Sequence, residues 1–247
     1  MLSKKAAAKA TAKKKPEAKK PKPHPLAGVT RDQYLGMLAD QMVAELRAVA
    51  KMTAFTNNPE LLGGYAEAAV RRLVRRYVHP LRVSEGAVVD FPPPPDEKTK
   101  QLDTIIWSPY PAPAVFEVDN FGLIPKSSAC GALEIKRSNY PDTDVEIENF
   151  VKLVRTGAIV WMPEEHPPKK VPGMGVICLI KYEPSKRLNT LVENEEAVAI
   201  FDVRNGLVDV RNKDVLVLIN FLQSVVHRQR LLANRDDWPA LPLPTAT

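Results

Sequence analysis

Apolar residues recur at helical spacing from Asp32 to Met52, where Tyr34, Leu35, Leu38, Met42, Leu46 and Val49 share a face and Thr30 stands at the capping position. Asn57-Asn58-Pro59 breaks that pattern. A second helix is expected from Pro59 or Leu61 to Tyr77, with Ala66, Ala69, Val70, Leu73, Val74 and Tyr77 on one face and Arg71, Arg72, Arg75 and Arg76 on much of the other. Pro80 ends it, and the period shortens. Leu81 to Phe91 reads as a strand with a kink at Gly86, Leu102 to Trp107 as a second and Ala129 to Lys136 as a third. Residues 108–128 hold four prolines and no sustained period, which predicts a long connection with a short strand at Ala114 to Val118. Asp144 to Thr156 then reads as a helix and Gly175 to Tyr182 as a buried strand. Ala197 to Val203 and Leu207 to Val210 are expected to pair through Asn205-Gly206, and Asp214 to Leu232 forms a closing helix. The order helix, three strands, helix, strand, with added C-terminal strands and a helix, places the chain in the α/β class.

The 247-residue length suits one domain, here residues 28–236. Its charge changes the picture only when located. Residues 1–24 carry nine lysines and one glutamate, a local +8 that exceeds the chain's net +6 and leaves the remainder at −2. Residues 1–27 hold too few apolar side chains to offset the entropy of ordering them, so a disordered basic tail is expected, with a frayed Pro-rich end over 237–247. Such a tail either solubilises the protein or attracts nucleic acid without regard to sequence by releasing counterions. Cys130 and Cys178 lie in apolar stretches, which argues against a disulfide framework or a cysteine zinc site, and the four histidines are dispersed. No apolar run is long enough to span a bilayer and no secretory pattern opens the chain, so a cytoplasmic location without membrane partners is expected. Phosphate-binding Gly-Lys-Ser/Thr loops, dinucleotide glycine turns and His-Glu-x-x-His helices are missing from the sequence, which removes the usual residues of an ATPase, a dehydrogenase or a zinc protease.

The candidate chemistry lies at one strand end. In Glu134-Ile135-Lys136 the two-residue period of a strand projects a carboxylate and an ammonium from one face. The same spacing occurs at Glu17 to Lys19 and Asp96 to Lys98, but without strand context. Asp103 interrupts the apolar start of the preceding strand as a metal ligand at a sheet edge would. Glu67 sits among the small residues of Gly63-Gly64-Tyr65-Ala66-Glu67-Ala68-Ala69. Taken singly, each has an ordinary structural role: Glu134 with Lys136 as a surface ion pair, Glu67 with Arg71 as a helical i, i+4 pair, Asp103 as a loop cap. Their order along predicted elements is harder to obtain by chance.

That order resembles the PD-(D/E)xK nuclease superfamily, whose core is helix, three strands, helix, strand with acidic residues on the second and third strands. The match spans about residues 60–183. Gly64-x-x-Glu67, Gln101-Leu102-Asp103-Thr104-Ile105-Ile106, Ile124-Pro125 and Ala132-Leu133-Glu134-Ile135-Lys136 look more closely like a bacterial branch of unassigned function, in which a hydrophobic-Pro segment precedes an Ile-Glu-Val-Lys strand. The resemblance implies a restriction-endonuclease-like fold and Mg2+ or Mn2+ held by Asp103, Glu134 and the Ile135 carbonyl. It further implies support from Glu67, and Lys136 beside the attacking water. Hard divalent cations prefer oxygen ligands and lower the pKa of bound water, which is the chemistry those residues suit.

Arg71, Arg75, Arg137, Lys152 and Arg155 are the expected contacts to nucleic acid. The expected activity is hydrolysis of phosphodiester bonds of DNA or RNA, in restriction, defence or repair. The competing reading is a catalytically silent nucleic-acid-binding or defence-operon interaction module on the same fold. Oligomeric state is not legible.

Overall fold

In the computed structural model, residues 30–90, 99–160, 170–204, 209–210 and 212–233 are described. The expected tail, the four prolines at 92–95, the Asn205-Gly206 turn and the C-terminal end lie outside them.

Local chemistry starts the first two helices. Thr30 and Gln33 form a reciprocal cap, Gln33 N–H donating to Thr30 Oγ1 at 3.2 Å and Thr30 N–H to Gln33 Oε1 at 2.9 Å, and α1 runs Arg31–Lys51. Asn58 Oδ1 accepts from the Glu60 and Leu61 amides, Pro59 takes the first helical position, and α2 runs Pro59–Tyr77. The strands are β1 (Arg82–Val89), β2 (Gln101–Trp107), β3 (Phe116–Val118), β4 (Phe121–Pro125), β5 (Ala129–Lys136), β6 (Gly173–Ile177), β7 (Ala197–Ala199), β8 (Phe201–Asp202) and β9 (Asp209–Val210). The later helices are α3 (Thr143–Arg155), α4 (Lys186–Glu193) and α5 (Asn212–Ala233).

Seven strands form one sheet in the order β3-β4-β1-β2-β5-β6-β7, and β8 pairs with β9 separately. The meander β1-β2-β5 is antiparallel, whereas β5-β6-β7 and β1-β4 are parallel. Burial on both sheet faces explains the near-continuous apolar runs of β2, β5 and β6. On one face, Leu35, Ala39 and Met42 of α1, Ala66, Val70 and Leu73 of α2, and Leu218 and Leu222 of α5 pack on Ile106, Leu133, Ile135 and Val176. On the other, Ile147, Phe150 and Val154 of α3 and Leu188 and Leu191 of α4 cover Leu102, Ile105, Ala132 and Ile177. The result is a helix–sheet–helix sandwich of the α/β class.

Two glycines bring α3 onto β6. A Cβ at Gly173 would lie 2.5 Å from Val154 Cγ2 and one at Gly175 2.6 Å from Ile147 Cγ2, so the helix rests against bare backbone. This close approach carries the first turn of α3 to the end of β5.

The structure departs from the expected elements in four places. The long connection holds a hairpin, β3 and β4, rather than one strand at 114–118, because β4 finds a parallel partner in β1. The strand expected at 175–182 runs Gly173–Ile177. Beyond it the extended chain turns from β5 to the β8 segment, where Ile180 N–H donates to Phe201 O at 2.7 Å. The segment 197–203 divides into β7 and β8. Helix α4 had no sequence-level expectation; it is eight residues long with only Leu188 and Leu191 buried, and its one signal is Ser185, whose Oγ caps the Leu188 amide at 3.0 Å.

Candidate active site

A bulge sets the site. Between the pairs Ser84↔Ile105 and Gly86↔Leu102, the single residue Glu85 of β1 stands opposite two residues of β2, Asp103 and Thr104. Such an insertion re-aims side chains and ends regular pairing. The β2–β5 ladder stops at Thr104↔Leu133, one step short of Asp103 and Glu134. In place of the missing backbone bond, Asp103 Oδ2 accepts the Ile135 N–H at 2.7 Å. An aspartate at the splayed strand end therefore fastens the backbone of the Glu-x-Lys segment.

Glu134 is 7% exposed, with Oε1 at 3.0 Å from Lys136 Nζ and Oε2 at 3.6 Å from Lys100 Nζ. Lys136 makes a second ion pair, at 2.5 Å, with Glu146 Oε2 from the first turn of α3. Burial pushes the Asp103 carboxyl up to about 7; the Glu134 and Glu67 charges add to the rise, and the Ile135 amide and Lys136 oppose it. For Lys136, burial works against the charged form, but the Glu146 hydrogen bond and the Glu134 charge outweigh it and raise its pKa. Lys136 is thus held as an ammonium.

Glu67 lies on α2, 3.5 Å from Arg71 Nη1. Arg71 is 6% exposed; its Nη2 meets Glu85 Oε2 at 2.6 Å and its Nη1 donates to the Asp103 carbonyl at 2.7 Å. The guanidinium is thus engaged inside the protein with Glu67, Glu85 and the Asp103 carbonyl, where it braces the bulge. Arg75 is exposed but donates to Val83 O and to Asn120 Oδ1. Arg137 donates to the Tyr140 hydroxyl beside the strand end. Lys152 and Arg155 are exposed on α3, and Arg155 pairs with Glu196. At 1.5 Å per residue they stand about 9 Å and about 14 Å along the helix from Glu146, away from the Lys136 end. Glu146, Glu85 and Lys100 were not singled out in the sequence. Nothing in the spacing marks Glu85 or Glu146, which reach the site through pairing and packing, whereas Lys100 lies only three residues before Asp103.

Among the described residues no group of three or more His, Cys, Asp or Glu is gathered so as to hold a metal ion. Glu67 keeps its ion pair with Arg71, and its charge adds to the rise at Asp103. Two carboxylates still fit a hard cation that keeps several of its own waters, as magnesium does, and do not fit one that needs a full protein cage.

The sheet order, the flanking helices and the bulged strand pair define a restriction-endonuclease-like fold. It is similar to the cAAA-bound form of NucC from E. coli MS115-1, with a TM-score of 0.52 and 14% identity over 82% of this chain and 90% of that one. It is also similar to cAAA-bound NucC from P. aeruginosa ATCC27853, with a TM-score of 0.51 and 15% identity over 82% and 91%. No family model and no curated protein matches the sequence. Among the described residues no helix is long and apolar enough to cross a membrane.

Proposed function

We propose that this protein is a nuclease that hydrolyses phosphodiester bonds of DNA or RNA with Mg2+ or Mn2+. The observation that carries the reading is the meeting of Asp103, Glu134 and Lys136 at the splayed end of β2 and β5, where Asp103 holds the Ile135 amide and Lys136 pairs with Glu134. The fold shared with NucC supports it.

The metal would be held by Asp103, Glu134 and the Ile135 carbonyl, and would supply a water of lowered pKa and charge stabilisation at the phosphoryl oxygens. Asp103 offers Oδ1 for this, since Oδ2 is committed to Ile135. Ile135 turns its carbonyl to the same strand edge as the N–H that Asp103 takes. Lys136, kept protonated by Glu146 and Glu134, sets positive charge where the attacking water and the phosphorane oxygens develop negative charge. An electrostatic role suits it, and a general-base role does not. Glu146 positions that ammonium and Arg71 braces the bulge that aims Asp103. Glu67 acts through Arg71 rather than on the metal. Arg137, at the strand end, is the nearest in sequence of the proposed nucleic-acid contacts; Lys152, Arg155 and the nine lysines of the tail extend the attraction outward.

The test offers single- and double-stranded DNA and RNA with Mg2+, Mn2+ or EDTA, with and without cAAA, the molecule bound in the NucC structures. Cleavage by the wild type with metal, none with EDTA, and its loss in Glu134→Ala and Lys136→Ala with native circular dichroism are the expected results. Glu134→Ala should also weaken Mn2+ binding, whereas Lys136→Ala removes no ligand. If no substrate is cut, or Glu134→Ala cuts as fast as wild type, the nuclease reading fails and a nucleic-acid-binding role takes its place.

A further inference from the structure

Glu134 stands between two lysines, and the mechanism above uses one of them. Lys136 is tied to two carboxylates, Glu134 at 3.0 Å and Glu146 at 2.5 Å, and its side chain is 21% exposed. Lys100 is held more loosely. Among the described residues its ion pair is with Glu134 alone, at 3.6 Å, and its side chain is 38% exposed. Its ammonium lies 5.5 Å from the ring centroid of Phe150, which is itself 0% exposed, so a buried ring of α3 backs the charge on one side. Lys100 stands on the chain just before β2, three residues ahead of Asp103.

We propose that Lys100 is a substrate contact: it neutralises Glu134 in the metal-free site and passes to a non-bridging oxygen of the substrate's phosphodiester once a divalent cation takes over Glu134. This rests on the nuclease reading of the same site. A cation bound to Glu134 withdraws the negative charge that holds Lys100, and an ammonium on a four-carbon stem then seeks the next anion. The phosphodiester brought to Asp103 and Glu134 is that anion. Lys136 does not make this exchange, because Glu146 retains it when Glu134 is engaged. The two lysines therefore divide the work: Lys136 stays at the reacting water, and Lys100 moves from protein to substrate. A point charge with three rotatable donors suits a phosphate, whose oxygens accept from many directions.

The exchange makes two measurements move in opposite directions in the full-length chain. With Mn2+ alone, Lys100→Met should bind the ion about threefold more tightly than wild type, the size expected when one partly exposed competing ion pair is removed. With duplexes of about 20 base pairs in Ca2+, one DNA and one RNA of the same sequence, Lys100→Met should bind several-fold more weakly, and the salt slope should shrink by about 0.9, the share of one phosphate contact on duplex DNA. Lys100→Arg should retain wild-type behaviour in both. Unchanged Mn2+ affinity in Lys100→Met, an unchanged salt slope, or failure of both duplexes to bind wild type overturns the proposal. Failure of the nuclease reading looks different: duplex binding with the Lys100-dependent slope, but no cleavage in Mg2+ or Mn2+.

Discussion

Replacing Arg71 with Met keeps most of the stem that packs on the sheet but removes the guanidinium that joins α2, β1 and β2. Three contacts vanish: Glu85 at 2.6 Å, the Asp103 carbonyl at 2.7 Å and Glu67 at 3.5 Å. A hydrogen bond to a charged group contributes about 1.5–3 kcal/mol, and a carbonyl left unsatisfied in the interior costs a further ~1–3 kcal/mol. The arginine side chain is only 8% exposed, which places the loss near the range for breaking a buried pair, about 3–5 kcal/mol. Glu67 and Glu85 are 30% and 31% exposed, however, and water will resolvate them, which discounts their share. The expected cost is therefore about 3 kcal/mol, at the lower end of that range. For a chain of this size it should lower Tm by roughly 6–12 °C. Arg71→Lys keeps the charge but has one nitrogen for three acceptors, so about half of the loss should remain. Urea denaturation in EDTA measures these differences without metal linkage, and a double-mutant cycle with Glu85→Gln should show a coupling of about 1–2 kcal/mol. A cost below about 1 kcal/mol for Arg71→Met, within the ordinary range for surface ion pairs, or a coupling indistinguishable from zero, would refute the claim that this arginine braces the bulge.

Three further outcomes follow from the structure. Because the Asp103 carboxyl sits at about 7, Mn2+ affinity should fall about tenfold per pH unit below that value, and Asp103→Asn should flatten the profile; a flat wild-type curve between pH 5.5 and 8 would contradict it. The linked stability has the opposite sense in metal-free protein: a raised folded value means the contribution is complete below the ordinary carboxylate range and is lost as the pH rises through about 7. Gly86→Ala should cost more than about 3 kcal/mol, since φ is +134° and the added Cβ would lie 2.1 Å from the Gly122 carbonyl oxygen, whereas Gly63→Ala, with nothing within 4 Å, should gain about 0.5–1 kcal/mol. Equal melting temperatures for the two variants would show that the β1–β4 contact is not the constraint.

Much of the fold was written in local patterns. Helices α1, α2, α3 and α5 follow from spacing, with side-chain caps starting α1 and α2, and β5 was legible to the residue because a buried strand needs an unbroken apolar run. The kink at Gly86 was also readable, since glycine tolerates a φ that other residues avoid. Order along the chain likewise brought Asp103, Glu134 and Lys136 into one hypothesis. Other features depend on partners distant in sequence. The β3–β4 hairpin exists because β4 finds β1 across the sheet, a pairing no local pattern records. Arg71 reads as one of four arginines on a helix, and only packing decides that it points inward to Glu85 and the Asp103 carbonyl while Arg72 stays at the surface. Glu146 reaches Lys136 because bare glycine backbone in β6 lets α3 settle close, and Lys100 reaches Glu134 because it stands just beyond the end of the β2–β5 ladder. Periodicity and capping act over a few residues and can be read in one dimension; charge neutralisation, burial and the end of a hydrogen-bond ladder are properties of neighbours in space, so only the tertiary structure could bring Arg71, Glu85, Glu146 and Lys100 beside the charges that sequence order had grouped.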